Sequence, residues 1–108
     1  MKLTFKTINL KRKYPFTISG YTFTEEPAIY TRLEHDGVVG YGEASPGYYF
    51  DETLDTAMDF LSRLDLSQFN DPTDAKTILD YLHSFDKGFT SAKAAVDIAL
   101  HDLVGKLL

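Results

Sequence analysis

The spacing of apolar residues changes once along this chain, from a period of two to a period of 3.6, and the change falls near residue 50. Alternation places side chains on the two faces of a strand, whereas recurrence at three and four residues places them on one stripe of a helix. A chain with its strands first and its helices after has no crossover helices with which to build a parallel sheet. Its strands must therefore pair antiparallel, with the helices packed against the sheet. The expected fold class is α+β: a three-stranded antiparallel sheet followed by a bundle of about three helices.

The strand half can be read in segments. Leu3-Thr4-Phe5-Lys6-Thr7 alternates, after which Ile8 and Leu10 take over the apolar phase; this predicts a bulge or strong twist near Thr7. Tyr14-Pro15-Phe16-Thr17-Ile18 resumes the extended pattern, with Pro15 marking an edge or break. Ser19 to Pro27 is polar, Thr-rich and contains glycine, and reads as a loop. Ile29, Thr31 and Leu33 then alternate with Tyr30, Arg32 and Glu34. Asp36-Gly37 signals a two-residue turn with both φ angles positive, and Val38 to Ala44 is the return strand.

In the helical half, Asp51 is positioned to cap a helix with Leu54, Ala57, Met58, Leu61 and Leu64 on its apolar face. Asn70-Asp71-Pro72 reads as a second helix start, with Asp71 as N-cap and Pro72 at the first helical position. Ala75, Ile78, Leu79, Leu82 and Phe85 continue that helix, and Gly88 ends it. From Ser91 to Leu108, Ala92, Ala95, Val96, Ala99, Leu100, Leu103, Val104 and Leu107 make one broad apolar face, slim enough for close packing. Lys93, Asp97 and His101 are expected along the polar side. The helix closes on Leu107-Leu108 without a glycine cap or polar tail, so the chain reads as cut short there.

The 108 residues suit one domain, and a formal charge of -5 argues against a nucleic-acid partner. The short run Lys11-Arg12-Lys13 does not change that. No cysteine is present, which suits a cytoplasmic protein. No stretch approaches the about 20 apolar residues of a membrane span. His35, His83 and His101 fall on separate elements without metal-ligand spacing. Gly40-x-Gly42 lacks the third glycine and following helix of a nucleotide fingerprint, and reads as a place where a neighbour packs close. Asp51, Glu52, Asp55 and Asp59 belong to a helix start and its polar face. No catalytic group emerges. Two aromatic segments, Ser19-Gly20-Tyr21-Thr22-Phe23-Thr24 and Ser45-Pro46-Gly47-Tyr48-Tyr49-Phe50, hold more apolar surface than loops need, either packed back or offered to a ligand.

Taken together, Pro15-Phe16-Thr17-Ile18-Ser19, the strand opening at Ala28-Ile29, Gly40-Tyr41-Gly42-Glu43-Ala44 and Ser91 to Leu103 resemble the N-terminal part of the enolase superfamily. The likeness covers essentially the whole chain. It is greatest to the muconate-lactonizing subgroup and, within that, to dipeptide epimerases. The resemblance implies that residues 1–108 form a capping domain, truncated before a C-terminal modified TIM barrel of the same polypeptide. The intact protein would then be an isomerase, a racemase or epimerase that abstracts the proton α to a carboxylate. Its Mg²⁺ and its lysine bases would lie in the barrel, so no catalytic and no metal-binding residue is expected in this chain.

The cap's contribution would be two substrate-binding loops. By position these carry Ser19, Gly20, Tyr21, Thr22 and Phe23 in the first and Tyr48, Tyr49 and Phe50 in the second. Epimerases acting on acidic dipeptides often carry arginines at positions matching Gly20 and Phe23; their absence points to a dipeptide with a larger or apolar side chain. The partners expected are the barrel, a dipeptide or related carboxylate, and further copies of the isolated domain by self-association. The alternatives are a muconate cycloisomerase, an o-succinylbenzoate synthase, or a free-standing non-enzymatic binding module.

Overall fold

The computed structural model describes residues 1–18, 21–44 and 54–108, with side-chain positions for residues 1–7, 28–44 and 55–108. Strands β1 (Lys2–Ile18), β2 (Tyr21–His35) and β3 (Val38–Ala44) precede helices α1 (Leu54–Arg63), α2 (Ala75–Ser84) and α3 (Thr90–Leu107). The sheet is antiparallel in the order β1-β2-β3. The α+β expectation holds, with three strands and three helices among the described residues.

The β2–β3 turn is made by Asp36 (φ 50°) and Gly37 (φ 80°), both left-handed, as the Asp-Gly pair requires. Of the bulge or strong twist expected near Thr7, the bulge is absent, because β1 pairs with β2 without a break from Lys2↔Glu34 to Lys11↔Glu25. Thr7 faces Ile29, which in turn faces Ala44, the last residue of β3. The apolar phase therefore changes where the third strand stops, and no slip is needed. The register shifts instead between Lys11 and Phe16, where residues 12–15 of β1 oppose residue 24 of β2. Pro15, which has no N–H for a ladder bond, lies in that interval.

The loop expected over Ser19 to Pro27 is also corrected, since Tyr21 to Pro27 continues β2. Its threonines and aromatics favour extended backbone. Among the described residues no third strand adjoins β2 beyond Ile29, and an edge position tolerates Pro27.

Asp51 lies outside the described residues. Helix α1 buries Ala57, Phe60 and Leu61. Helix α2 begins at Ala75 rather than Pro72, with Asp74 as its N-cap. Asp71 closes a turn of its own: its carboxylate accepts the Thr73 N–H at 3.0 Å and the Thr73 hydroxyl at 2.6 Å. Those bonds hold the Asp71 carboxyl below its ordinary range, the hydroxyl bond contributing most. Past the end of α2 at Ser84, Gly88 (φ 80°) and Phe89 (φ 55°) turn the chain into α3.

Helix α3 lies across β2 and β3 with Ala92, Ala95, Val96, Ala99, Leu100 and Leu103 buried. Two glycines make the close approach possible. A β-carbon at Gly40 would stand 2.2 Å from the Ala99 carbonyl oxygen, and one at Gly42 only 1.9 Å from that of Ala95. The expectation that Gly40 and Gly42 mark close packing holds.

Lys93 departs from the sequence reading. It is only 7% exposed and does not sit on a polar stripe. Its Nζ donates to the His83 carbonyl at 3.1 Å and to the Asp86 carbonyl, and lies 5.9 Å from the Phe60 ring centroid. The ammonium thus caps the C-terminal end of α2, where carbonyls lack partners and the dipole favours a cation. Apolar periodicity cannot reveal such a role, because the acceptors belong to another element.

Candidate functional site

Both candidate loops spring from one end of the sheet. Strand β3 ends at Ala44 beside Ile29, and from there the β1–β2 ribbon continues in the same direction to the pair Ile18↔Tyr21. The eight steps from Ile29 to Tyr21 carry the hairpin roughly 26 Å past the end of β3 at about 3.3 Å per residue. Ser19, Gly20, Tyr48, Tyr49 and Phe50 lie outside the described residues. The backbone of Tyr21, Thr22 and Phe23 forms the start of β2, paired with Ile18, Thr17 and Phe16; their side chains are likewise outside the description.

A second feature, not singled out in the sequence reading, lies on the sheet face turned away from the helices. A groove of about 590 Å³ is lined by Thr4, Phe5, Lys6, Tyr30, Thr31, Arg32 and Tyr41. The Arg32 guanidinium donates to Glu34 Oε2 at 2.9 Å. Bonds to Glu34 and then to the Tyr41 hydroxyl raise its already high pKa, so it stays charged. Alternation along β2 does place Tyr30, Arg32 and Glu34 on one face, but nothing in sequence shows that the helices leave that face open.

The outer edge of β3 is closed by α3. The Tyr41 N–H donates to Asp102 Oδ2 at 2.9 Å, and Lys106 Nζ donates to the Val39 carbonyl at 2.8 Å. Lys106 also bonds Asp102 at 2.8 Å and lies 5.1 Å from the Tyr41 ring centroid. The Lys106 bond, followed by the Tyr41 N–H, holds the Asp102 carboxyl below its ordinary range. A sheet edge satisfied in this way is a poor template for further strands.

The histidines do not form a centre. His101 Nδ1 lies 2.7 Å from Asp97 Oδ1 and His83 Nε2 lies 4.0 Å from Asp97 Oδ2, on the exposed side of α2 and α3. Among the described residues no three His, Asp or Glu side chains are grouped to hold a metal ion. Among them, too, no helix is long and apolar enough to cross a membrane.

The chain matches, over residues 2–108, the family described as the mandelate racemase / muconate lactonizing enzyme N-terminal domain. It is 49% identical over 108 residues to the L-Ala-D/L-Glu epimerase of Bacteroides thetaiotaomicron, covering all of this chain and 28% of that protein. Identity to the hydrophobic dipeptide epimerase of Enterococcus faecalis is 30% over 100 residues, 90% of this chain and 28% of the relative. The solved dipeptide epimerase of Methylococcus capsulatus, complexed with Mg and L-Arg-D-Lys, superposes with a TM-score of 0.88 at 26% identity, over 98% of this chain and 31% of that one. The chain therefore spans less than a third of the length of each. With a three-stranded sheet, three helices and a match from end to end, this chain belongs to the N-terminal domain family of mandelate racemases and muconate lactonizing enzymes.

Proposed function

We propose that residues 1–108 are the substrate-capping domain of a dipeptide epimerase, an isomerase that removes and replaces the proton α to a carboxylate. The observation that carries this reading is the 49% identity to an L-Ala-D/L-Glu epimerase along the whole of this chain. In this proposal a barrel that follows in the same polypeptide supplies the proton-transferring lysines and the magnesium ligands. The Methylococcus capsulatus relative was solved with Mg. The cap contributes enclosure: Ser19 to Phe23 and Tyr48 to Phe50 close over the substrate and exclude water from the reacting carbon. A cytoplasmic location accords with a chain that has no cysteine.

L-Ala-L-Glu is the first substrate to test. A dipeptide with a large apolar side chain is the second reading, favoured by Gly20 and Phe23 standing where arginines would meet an acidic side chain. The test follows deuterium incorporation at the α-carbon of the C-terminal residue by proton NMR. It uses the natural-length protein with Mg²⁺ in deuterated water and a panel of L-Ala-L-X dipeptides. Exchange with inversion on any of them supports the epimerase, and the preferred X separates the two substrates. No exchange on any dipeptide, or a natural protein that ends at Leu108, would overturn the proposal in favour of another family reaction or a binding module.

A further inference from the structure

We infer that Thr31 is a positioning residue: its hydroxyl sets how deeply the end of β3 seats on α3, and so where the second aromatic segment, Ser45 to Phe50, is presented to the substrate. Its role rests on the proposed function, in which that segment closes over the substrate. Thr31 acts through Gly42 and Ala44 and is not itself placed against the substrate.

Residues 45–53 join the end of β3 at Ala44 to the start of α1 at Leu54. Both ends of that stretch are referred to one helix, since β3 and α1 each pack on α3. Along β3 the attachment falls into two halves. The half nearer the Asp36-Gly37 turn is held by side chains of α3: Asp102 accepts the Tyr41 N–H at 2.9 Å, and Lys106 donates to the Val39 carbonyl at 2.8 Å. The half that leads into residue 45 is attached differently. There Gly42 lies directly on the helix backbone, and Thr31, its partner in β2, donates to the Ala95 carbonyl at 2.8 Å. A β-carbon on Gly42 would fall 1.9 Å from that same carbonyl oxygen and 2.7 Å from Thr31 Oγ1. One oxygen of α3 therefore meets β2 and β3 together, just before β3 ends.

The length of this contact depends on its chemistry. A hydroxyl bonded to a carbonyl sits at about 2.7–2.8 Å, whereas a carbon meets a carbonyl oxygen at about 3.3–3.6 Å. A methyl in place of the Thr31 hydroxyl must hold the Ala95 oxygen off by about half an ångström or more. Thr31 is 1% exposed, and a close-packed surrounding has no slack to absorb the difference. Because Asp102 and Lys106 fix the other half of β3, the displacement falls on Gly42, Glu43 and Ala44. For a substrate-enclosing segment this is a large error, since a misplacement of about 1 Å can cost about 100-fold. A fault in enclosure that leaves the reacting groups alone is felt as weaker binding and raises KM.

The test uses the natural-length protein with Mg²⁺ and the L-Ala-L-X dipeptide it prefers, comparing the parent with Thr31→Val, Thr31→Ser and Asp102→Asn. All three substitutions lower the midpoint of urea unfolding, valine and asparagine through a lost bond and serine through a lost buried methyl. Valine alone should raise KM, by about tenfold, with kcat within about twofold of the parent. Serine keeps the hydroxyl and Asp102 serves the other half of β3, so both of those variants keep the parent KM. A KM that follows stability across the three variants, or a valine variant with the parent KM, overturns the inference.

The amide resonances of residues 44–50 give a reading without turnover. They should shift in Thr31→Val and hold their parent positions in Thr31→Ser and Asp102→Asn. If the parent protein epimerises no dipeptide, the proposed function fails, and the seating of β3 is still decided by these resonances. Unmoved amides in the valine variant overturn it.

Discussion

Thr31 Oγ1 donates to the Ala95 carbonyl at 2.8 Å, the described hydrogen bond that ties the middle of the sheet to the backbone of α3. Thr31 is 1% exposed, so its hydroxyl has no water to fall back on. Replacing it by valine keeps the shape and removes the bond. Thr31→Val should cost about 1 kcal/mol, read as a lower midpoint of urea unfolding with an unchanged slope.

The neighbouring glycine is less forgiving. Gly42→Ala puts a β-carbon 1.9 Å from the Ala95 oxygen and 2.7 Å from Thr31 Oγ1. Both neighbours belong to packed elements, so α3 must lift from the sheet. A loss of about 3 kcal/mol or failure to fold is expected, measured by the same unfolding curve or by soluble yield. Gly105→Ala on the outer side of α3 meets nothing within 4 Å and should leave stability unchanged or raise it slightly.

Lys93 offers a local readout. Lys93→Ala removes the donor to the His83 and Asp86 carbonyls as well as the stem packed near Phe60. Lys93→Met keeps the stem. Alanine should cost about 3 kcal/mol and methionine about half of that. Both should speed amide exchange in the last turn of α2 more than in α1.

The Asp102 cluster sets a pH dependence. Its carboxyl titrates below the ordinary range in the folded chain because Lys106 and the Tyr41 N–H bond the ionised form. The folded state therefore binds fewer protons than the unfolded state as the carboxyl titrates. The stabilisation is present above the ordinary carboxylate range and is lost as pH falls through the lowered value. Asp102→Asn should lower stability at neutral pH and converge on the parent at acid pH, which flattens the acid limb, as followed by thermal unfolding from neutral to acid pH.

On the proposed function, Phe23→Arg in the natural-length protein should raise the kcat/KM ratio for L-Ala-L-Glu over an L-Ala dipeptide with an apolar C-terminal residue by about tenfold, equivalent to about 1.4 kcal/mol. An unchanged ratio would remove Phe23 from the substrate's side-chain pocket.

The architecture was legible because its signals are local: alternation in Ile29 to Glu34, the Asp36-Gly37 turn and the continuous apolar face of α3 each act over a few residues. Glycine spacing also gave the packing at Gly40 and Gly42, since a missing side chain within a strand has few other uses. Two departures from the expected structure came from interactions between distant segments and one from a local turn. The phase change at Ile8 reflects the end of β3, more than 30 residues away. Lys93 looks like any helical surface lysine until α2 brings its C-terminal carbonyls alongside. Asp71-Pro72 has the chemistry of a helix start, but Thr73 draws the carboxylate into a separate turn. The two aromatic segments stood out by composition alone, but only family likeness assigned them to a substrate, because the proposed role, enclosure, carries no reactive signature.

The two absent β-carbons also have a mechanical consequence. With helix carbonyls pressed against strand backbone at Gly40 and Gly42, no flexible side chains lie between α3 and β3 there to act as a cushion. The helix can neither slide nor roll on the sheet without a collision, so the two move as one stiff plate.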